Sequence, residues 1–304
     1  MPDRAAKSLA CRSPRRWLKA LAVSLTLLCA LPVRADSERH ALWQIQGKRN
    51  VVFLLGSIHV LRASDYPLDR ALLEAYAKSQ ALVMEIDLSE LDAGGLQQEM
   101  LQAAMLPEGK SLHEVLGEDR YRRAAALAQE IGIPLETFEQ FEPWFVAESI
   151  SQLQLMQLGF DPSAGVEMYF LGRARSDGKP TQGLETAHDQ IELFESMPQE
   201  RQAQYLLASL EEAKSLPAQV NDMVKAWRHG DAAWFSAQMQ QEFGRDPRLY
   251  QSLLAARNRK WLPKIESLLN EDRNYLVIVG TGHLAGADSV IELLRRDGYQ
   301  AVQH

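Results

Sequence analysis

The chain has 304 residues, with 33 Lys+Arg against 40 Asp+Glu, a formal net charge of −7 and 46% hydrophobic residues. That is enough apolar material for one large core, and the acidic balance makes the chain a poor candidate for binding nucleic acid or anionic lipid. Both cysteines, Cys11 and Cys29, fall in the first 35 residues, so the rest of the chain has no thiol for a disulfide, a thiolate metal site or a cysteine nucleophile.

Those 35 residues read as a secretory signal peptide. Arg12, Arg15, Arg16 and Lys19 make a basic n-region, residues 20–33 (ALAVSLTLLCALPV) an apolar h-region, and Val33-Arg34-Ala35 a small-residue cleavage site. The h-region is too short to span a bilayer comfortably, so no transmembrane anchor is expected after processing. Arg15-Arg16 followed by Trp17-Leu18-Lys19 also resembles a twin-arginine signal, which leaves the export route open. The leader holds 7 basic residues and 1 acidic residue, so its removal leaves 26 against 39, a net charge of −13. A periplasmic or secreted body of residues 36–304 is expected.

In chain order, residues 41–46 (ALWQIQ) and 51–55 (VVFLL) flank Gly47-Lys48-Arg49-Asn50 and read as a hairpin. A helix follows Pro67, then a strand over 81–87 (ALVMEID), the pattern of a parallel crossover. Residues 96–132 have helical periodicity, and 133–138 is a further short strand candidate. Helix dominates 144–175, interrupted at Gly159-Phe160-Asp161-Pro162. The turn Asp177-Gly178-Lys179-Pro180 leads into a short strand, TQGLE, ending at Glu185. A helix from about Asp189 opens a long amphipathic region that runs to about Phe243. Asp246-Pro247 starts a helix over 249–269 that Pro263 should disturb. A strand over Tyr275–Gly280, a helix from about Gly286 and a terminal strand, YQAVQ, close the chain. The fold class read from this order is α/β, a mixed, mostly parallel sheet flanked by helices with a large helical middle insertion.

Two apolar runs end in the same arrangement, Gly-x-x-His. VVFLLGSIHV carries Gly56 and His59, and YLVIVGTGHL carries Gly280 and His283. Each histidine should stand just past a buried strand, where α/β proteins build sites. If both strands are parallel, residues 224 positions apart meet at one edge of the sheet. Glu85, near the end of the strand over 81–87, approaches the same edge. A carboxylate in an apolar strand is costly to bury unless paired, which favours a functional or ion-paired role over an idle one.

Together these segments resemble the TraB/PrgY/GumN family, related to the animal Tiki proteases. The match is carried by LLGSIHV, ALVMEID, GVEMYFLGRARSDGKPTQGLETAHDQIELF, Ala256-Arg257-Asn258 and VGTGHLAGADSVIELLRRDGY, covering about 41–303. Glu185 and Gln190 fall in positions that the family also fills. Ser57 stands where Thr is more frequent, and Glu167 where Asp is. The resemblance implies an α/β fold shared distantly with erythromycin-esterase-like hydrolases and haem-binding ChaN-like proteins. It also implies, by way of Tiki, a metal-dependent protease using both Gly-x-x-His motifs and acidic residues.

Two imidazoles with one or two carboxylates suit Mn, Co or Zn, and such an ion would activate a bound water. His59 and His283 are cast as ligands, Glu85 as ligand or general base, and Glu185 as the second carboxylate. Glu185 could equally complement the dipole of the helix that follows it. Arg257 and Asn258 could orient a carboxylate or stabilise an oxyanion, or could lie on a solvated helix face. A metal-free variant has one histidine and Glu85 activating water directly. His188 is either a site residue or an exposed first-turn residue, and His40, His113, His229 and His304 are expected at the surface. Trp144, Trp227, Trp234 and Trp261 read as core.

No Gly-x-Ser-x-Gly elbow, P-loop, dinucleotide fingerprint or His-Glu-x-x-His occurs. The expected activity is an exported metal-dependent hydrolase of peptide or ester bonds in a peptide or small-molecule substrate. The alternatives are a non-catalytic binding protein for a peptide signal, haem or metal, and an accessory factor in exopolysaccharide production.

Overall fold

The structure is a computed structural model that describes residues 39–87, 93–244 and 246–304. The leader therefore lies outside the described residues. Six strands form one sheet: β1 (Leu42–Gln46), β2 (Val51–Ser57), β3 (Ala81–Ile86), β4 (Thr181–Glu185), β5 (Tyr275–Gly280) and β6 (Ala301–Gln303), in the order β4-β3-β5-β2-β1-β6. The pairs β2–β5, β3–β5 and β3–β4 are parallel, whereas β1 runs antiparallel to both β2 and β6.

The sequence accounts for this order. β2 and β5 are near-continuous apolar runs, as strands covered on both faces must be, and they pair at the centre with Leu54 opposite Val277 and Ser57 opposite Gly280. The expected hairpin is present, with Leu42 opposite Leu55 and Gln46 opposite Val51. The main core packs on this sheet around Leu54, Leu55, Leu82, Met84, Phe170, Trp261, Leu276 and Ile278.

Helix α1 (Arg70–Lys78) crosses from β2 to β3, with Asp69 capping its start. The helical middle comprises α2 (Ala93–Ala104), α3 (Leu112–Leu116), α4 (Glu118–Glu130), α5 (Pro143–Gln157) and α6 (Val166–Asp177) before β4. After β4 come α7 (Ala187–Glu195), α8 (Gln199–Glu212), α9 (Leu216–Arg228), α10 (Ala232–Phe243), α11 (Pro247–Tyr250) and α12 (Ala256–Leu268). Helix α13 (Val290–Arg296) lies between β5 and β6. A second core, with Leu112, Leu116, Val146, Ile150, Leu206 and Leu210, joins α3, α4, α5 and α8, so the helical middle is held by its own apolar seam. Among the described residues no helix is long and apolar enough to cross a membrane.

Four sequence expectations change. The strand expected over 133–138 is a 3₁₀ turn, Leu135–Phe138. Pro134 has no N–H to offer a neighbouring strand, and its carbonyl accepts from the Thr137 hydroxyl at 2.8 Å, which closes a local turn instead. The helix expected from Asp189 starts at Ala187, because Thr186 and Asp189 form a capping box two residues earlier. The helix expected from Gly286 starts at Val290, where Ser289 caps it.

The region over 249–269 departs furthest. Pro263 lies inside α12 without ending it; Arg259, four residues earlier, is exposed, so water can serve its carbonyl. The irregularity sits upstream instead, as a π turn over Gln251–Ala255. Such turns recur at functional sites, and this one immediately precedes Arg257.

Candidate active site

Four parallel strands end along one edge, and each delivers one acidic or imidazole side chain there. Glu85 comes from β3, Glu185 from β4, His59 from just past β2 and His283 from the 3₁₀ turn Thr281–Leu284 after β5. The ends of β2 and β5 are tied together by Thr281, whose hydroxyl donates to the Ser57 carbonyl at 2.8 Å, and Trp227 Nε1 donates to the Gly56 carbonyl at 2.7 Å.

Arg257 occupies the middle. Its Nη2 donates to Glu85 Oε2 and to Glu185 Oε1, each at 2.6 Å, and its Nε donates to Glu185 Oε1 at 3.0 Å. Its Nη1 donates to the Leu253 carbonyl at 2.9 Å, a group of the π turn, and to His283 Nε2 at 3.1 Å. The π turn thus helps to aim the guanidinium. Gln190, on the first turn of α7, donates to Glu185 at 2.8 Å and to Glu85 at 3.1 Å. Trp261 Nε1 donates to Glu185 Oε2 at 2.9 Å, and its ring lies 4.4 Å from that of His283.

Asn258 fixes His283. Its amide nitrogen donates to the Asp288 carbonyl at 2.8 Å, which turns Oδ1 toward His283 Nδ1 at 2.6 Å. Nδ1 therefore carries the hydrogen, and the lone pair lies on Nε2, where Arg257 meets it. His59 is held by Glu167 at 2.7 Å through Nδ1, and Glu167 also accepts from the Ser57 hydroxyl. Glu167 reaches His59 because Gly165 lets α6 start against the loop: a Cβ at Gly165 would stand 2.2 Å from the His59 carbonyl.

The charge states follow from these contacts. Burial acts most strongly on Glu85 and would raise it. The charge that His283 takes on in acid, then those of Arg257 and His59, and the Gly280 N–H at 2.8 Å outweigh burial and bring its pKa to about 2. Burial lowers His283 to about 3, so it is neutral at neutral pH. The Glu167 carboxylate raises His59 to about 9, although two-thirds of that side chain is exposed and solvent moderates the pull. Glu167 itself is lowered: burial would raise it, and the His59 charge prevails.

One consequence is a loss of stability in acid. The folded pKa of His283 lies below the unfolded value of 6.5, so the unfolded chain binds the extra proton between about pH 6.5 and pH 3. Stability held above pH 6.5 is expected to fall progressively through that window, by on the order of a few kcal/mol from this residue. Urea midpoints measured against pH check it, and His283→Gln is expected to flatten that segment of the curve.

Gly280 marks the open point of the site. A Cβ there would lie 3.4 Å from Glu85 Oε1, 3.5 Å from His59 Nε2 and 3.7 Å from His283 Cδ2. The backbone (φ −50°, ψ 136°) accepts any L-residue, so the alanine variant should fold. Gly280→Ala is expected to keep its melting temperature, and if the site is catalytic its activity should drop about 100-fold, because the methyl would occupy the place of a reacting atom. Equal activity in the two proteins would show that this point is not used.

All six site residues expected from the sequence meet here: His59, Glu85, Glu185, Arg257, Asn258 and His283. His188 does not, being exposed and paired with Glu99 at 2.8 Å. His113, His229 and His304 are exposed as expected, whereas His40, expected at the surface, is buried beside Asp69. Three contributors were missed as site residues. Glu167 and Gln190 had only their place in the family pattern to mark them, and Trp261 was read as core, which it is, while its N–H also serves Glu185.

Residues 41–303 match the model of the TraB/PrgY/gumN family. The uncharacterized protein YbaP of Escherichia coli is 26% identical over 242 residues, 80% of this chain and 87% of YbaP. An uncharacterized protein of Treponema pallidum is 20% identical, covering 88% of this chain and 83% of its own. Human Metalloprotease TIKI1 is 22% identical, covering 96% of this chain and 70% of its own. No solved structure matches the chain. With the family pattern running from β1 to β6 and its motif residues gathered at one sheet edge, this chain belongs to the TraB/PrgY/gumN family.

Proposed function

We propose that the chain is an exported hydrolase of peptide or ester bonds, with its reacting centre beside Gly280. The observation that carries this reading is the convergence of a carboxylate, Glu85, and the outward nitrogen of an oriented imidazole, His59 Nε2, on that one open point. In this reading a water stands between them. Glu85, held ionised by Arg257, accepts its hydrogen bond and takes its proton as oxygen attacks the substrate carbonyl. His59, oriented through Nδ1 by Glu167, faces the developing oxyanion and gives the Nε2 proton to the leaving group. Arg257, Glu185, Gln190, Asn258 and His283 form the frame that keeps Glu85 in place.

The Tiki relatives are named metalloproteases, which makes an ion held by these donors the alternative centre. Among the described residues no group of three or more His, Cys, Asp or Glu is arranged to hold one. The guanidinium of Arg257 bonds Glu85, Glu185 and the inward nitrogen of His283, three of the four expected ligands. In this arrangement the residues do not fit an ion: the carboxylates already have their cation, and the His283 lone pair has its donor. The names of the relatives and the donor types favour metal dependence as the second reading.

One experiment separates the readings. The purified protein is assayed on a panel of fluorogenic peptides and aryl esters, before and after chelation, then with Mn, Co or Zn restored. Turnover that survives chelation and is lost in Glu85→Gln supports the metal-free site; turnover that returns only with an ion supports the second reading. No turnover on any member, with a panel member bound stoichiometrically, would replace both with a binding protein. Fractionation of cells expressing the full chain tests export, the leader being removed if the reading holds.

A further inference from the structure

Away from this edge, α2, the start of α5, the end of α7 and α8 surround a cavity of about 210 Å³. Three buried polar atoms on its lining residues have no hydrogen-bond partner: Glu142 Oε2, Trp144 Nε1 and Gln202 Oε1. Trp144 and Gln202 are 2% and 3% exposed, so both are built into the wall. Gln202 donates through Nε2 to the Met197 carbonyl at 3.0 Å, which fixes its carbonyl oxygen as the group left over. Trp144 stacks on Phe194 with ring centroids 5.3 Å apart, which fixes the direction of its N–H. Glu195, the last residue of α7, adds a second carboxylate to the lining.

Buried polar groups are nearly always paired, so three orphans around one cavity mark a place shaped for a polar guest. Their kinds define it: two acceptors, one of them the Glu142 carboxylate, and one donor, with a second carboxylate, Glu195, close by. A guest must bring positive charge with N–H groups for Glu142 and Gln202, and an acceptor for the indole N–H. Burial raises Glu142, and the charge of Glu195 raises it further, a strain that a bound cation would relieve. Water can satisfy orphans one at a time but does not neutralise two like charges.

We propose that this cavity binds an α-amino amide, with the ammonium between Glu142, Glu195 and Gln202 and the neighbouring carbonyl on Trp144 Nε1. The amino terminus of a peptide and a free amino-acid amide share that chemistry. The site does not rest on the hydrolase reading. It lies at the end of α7, whose first turn carries Gln190 into the other site.

The test is calorimetric titration of the purified protein with glycinamide, glycylglycinamide, N-acetylglycinamide and ethylamine. Glycinamide or the dipeptide amide is expected to bind saturably at one site, the tighter of the two identifying the source. N-acetylglycinamide, without the ammonium, is expected not to bind, and ethylamine, without the carbonyl, to bind at least about tenfold more weakly. Glu142→Gln and Trp144→Phe should each weaken binding about tenfold or more, with far-ultraviolet circular dichroism confirming the fold. Glu195→Gln, at an exposed residue whose loss leaves the fold intact, should weaken it as well. His59→Gln should leave it unchanged. Absence of saturable binding by both amides, equal binding of N-acetylglycinamide, or unchanged binding in both glutamate variants would overturn the proposal.

Discussion

Replacing Arg257 with methionine is expected to destabilise the protein by about 3–5 kcal/mol, because it leaves two buried carboxylates without their cation. The side chains of Glu85 and Glu185 are 12% and 1% exposed, and Arg257 gives each a bond of 2.6 Å. The loss should appear as a fall in melting temperature on the order of 10 °C. Arg257→Lys is expected to recover only part of it, since a single ammonium cannot reach Glu85, Glu185, His283 and the Leu253 carbonyl together. Adding Glu185→Gln to the methionine variant should restore stability relative to that variant. Strict additivity of the two changes would show that the pair is not coupled.

His59→Gln is expected to do the reverse, lowering kcat/KM about 10²- to 10⁴-fold with a smaller effect on stability than the loss of Arg257. The side chain is two-thirds exposed and packs little, and the glutamine amide can still donate to Glu167, so the cost is confined to the charge lost beside that buried carboxylate. Glu167→Gln should reduce kcat with a smaller change in KM, because it loosens the orientation of His59 without touching the substrate. Comparison of melting curves with steady-state kinetics for the two variants decides this. Unchanged kcat/KM in His59→Gln would mean that the residue holds structure and does not carry chemistry.

The sheet was legible because its strands are short apolar runs bounded by turn residues, and burial on both faces leaves that trace in composition. The site edge was legible for the same reason. Once β2 and β5 are adjacent and parallel, Gly56 and Gly280 lie at the same end, and so do His59 and His283. The sequence could not show how these residues divide the charge. Arg257 and Asn258 stand on a helix with polar residues on several sides, and nothing in its periodicity reveals that a π turn aims Arg257 inward. Arg257 is expected to orient a carboxylate or an oxyanion, but its position between Glu85, Glu185 and His283, the residues expected to hold an ion, leaves no trace in their spacing. Glu167 was hidden because its partner is a loop residue 108 positions away, and the close approach at Gly165 that joins them has no spacing signature. The 3₁₀ turn over Leu135–Phe138 shows the opposite failure, an apolar run short enough to resemble a strand in which Pro134 decides the outcome.

The proposed hydrolase requires the two Gly-x-x-His ends to act as one site. A double-mutant cycle in kcat/KM tests it most directly, with His59→Ala, His283→Ala and the double variant measured on whichever panel substrate the wild type turns over. Large losses are expected in both single variants, with the double variant little worse than the poorer single, as for residues acting as one unit. Independent, multiplying losses, or full activity in either single variant, would contradict it.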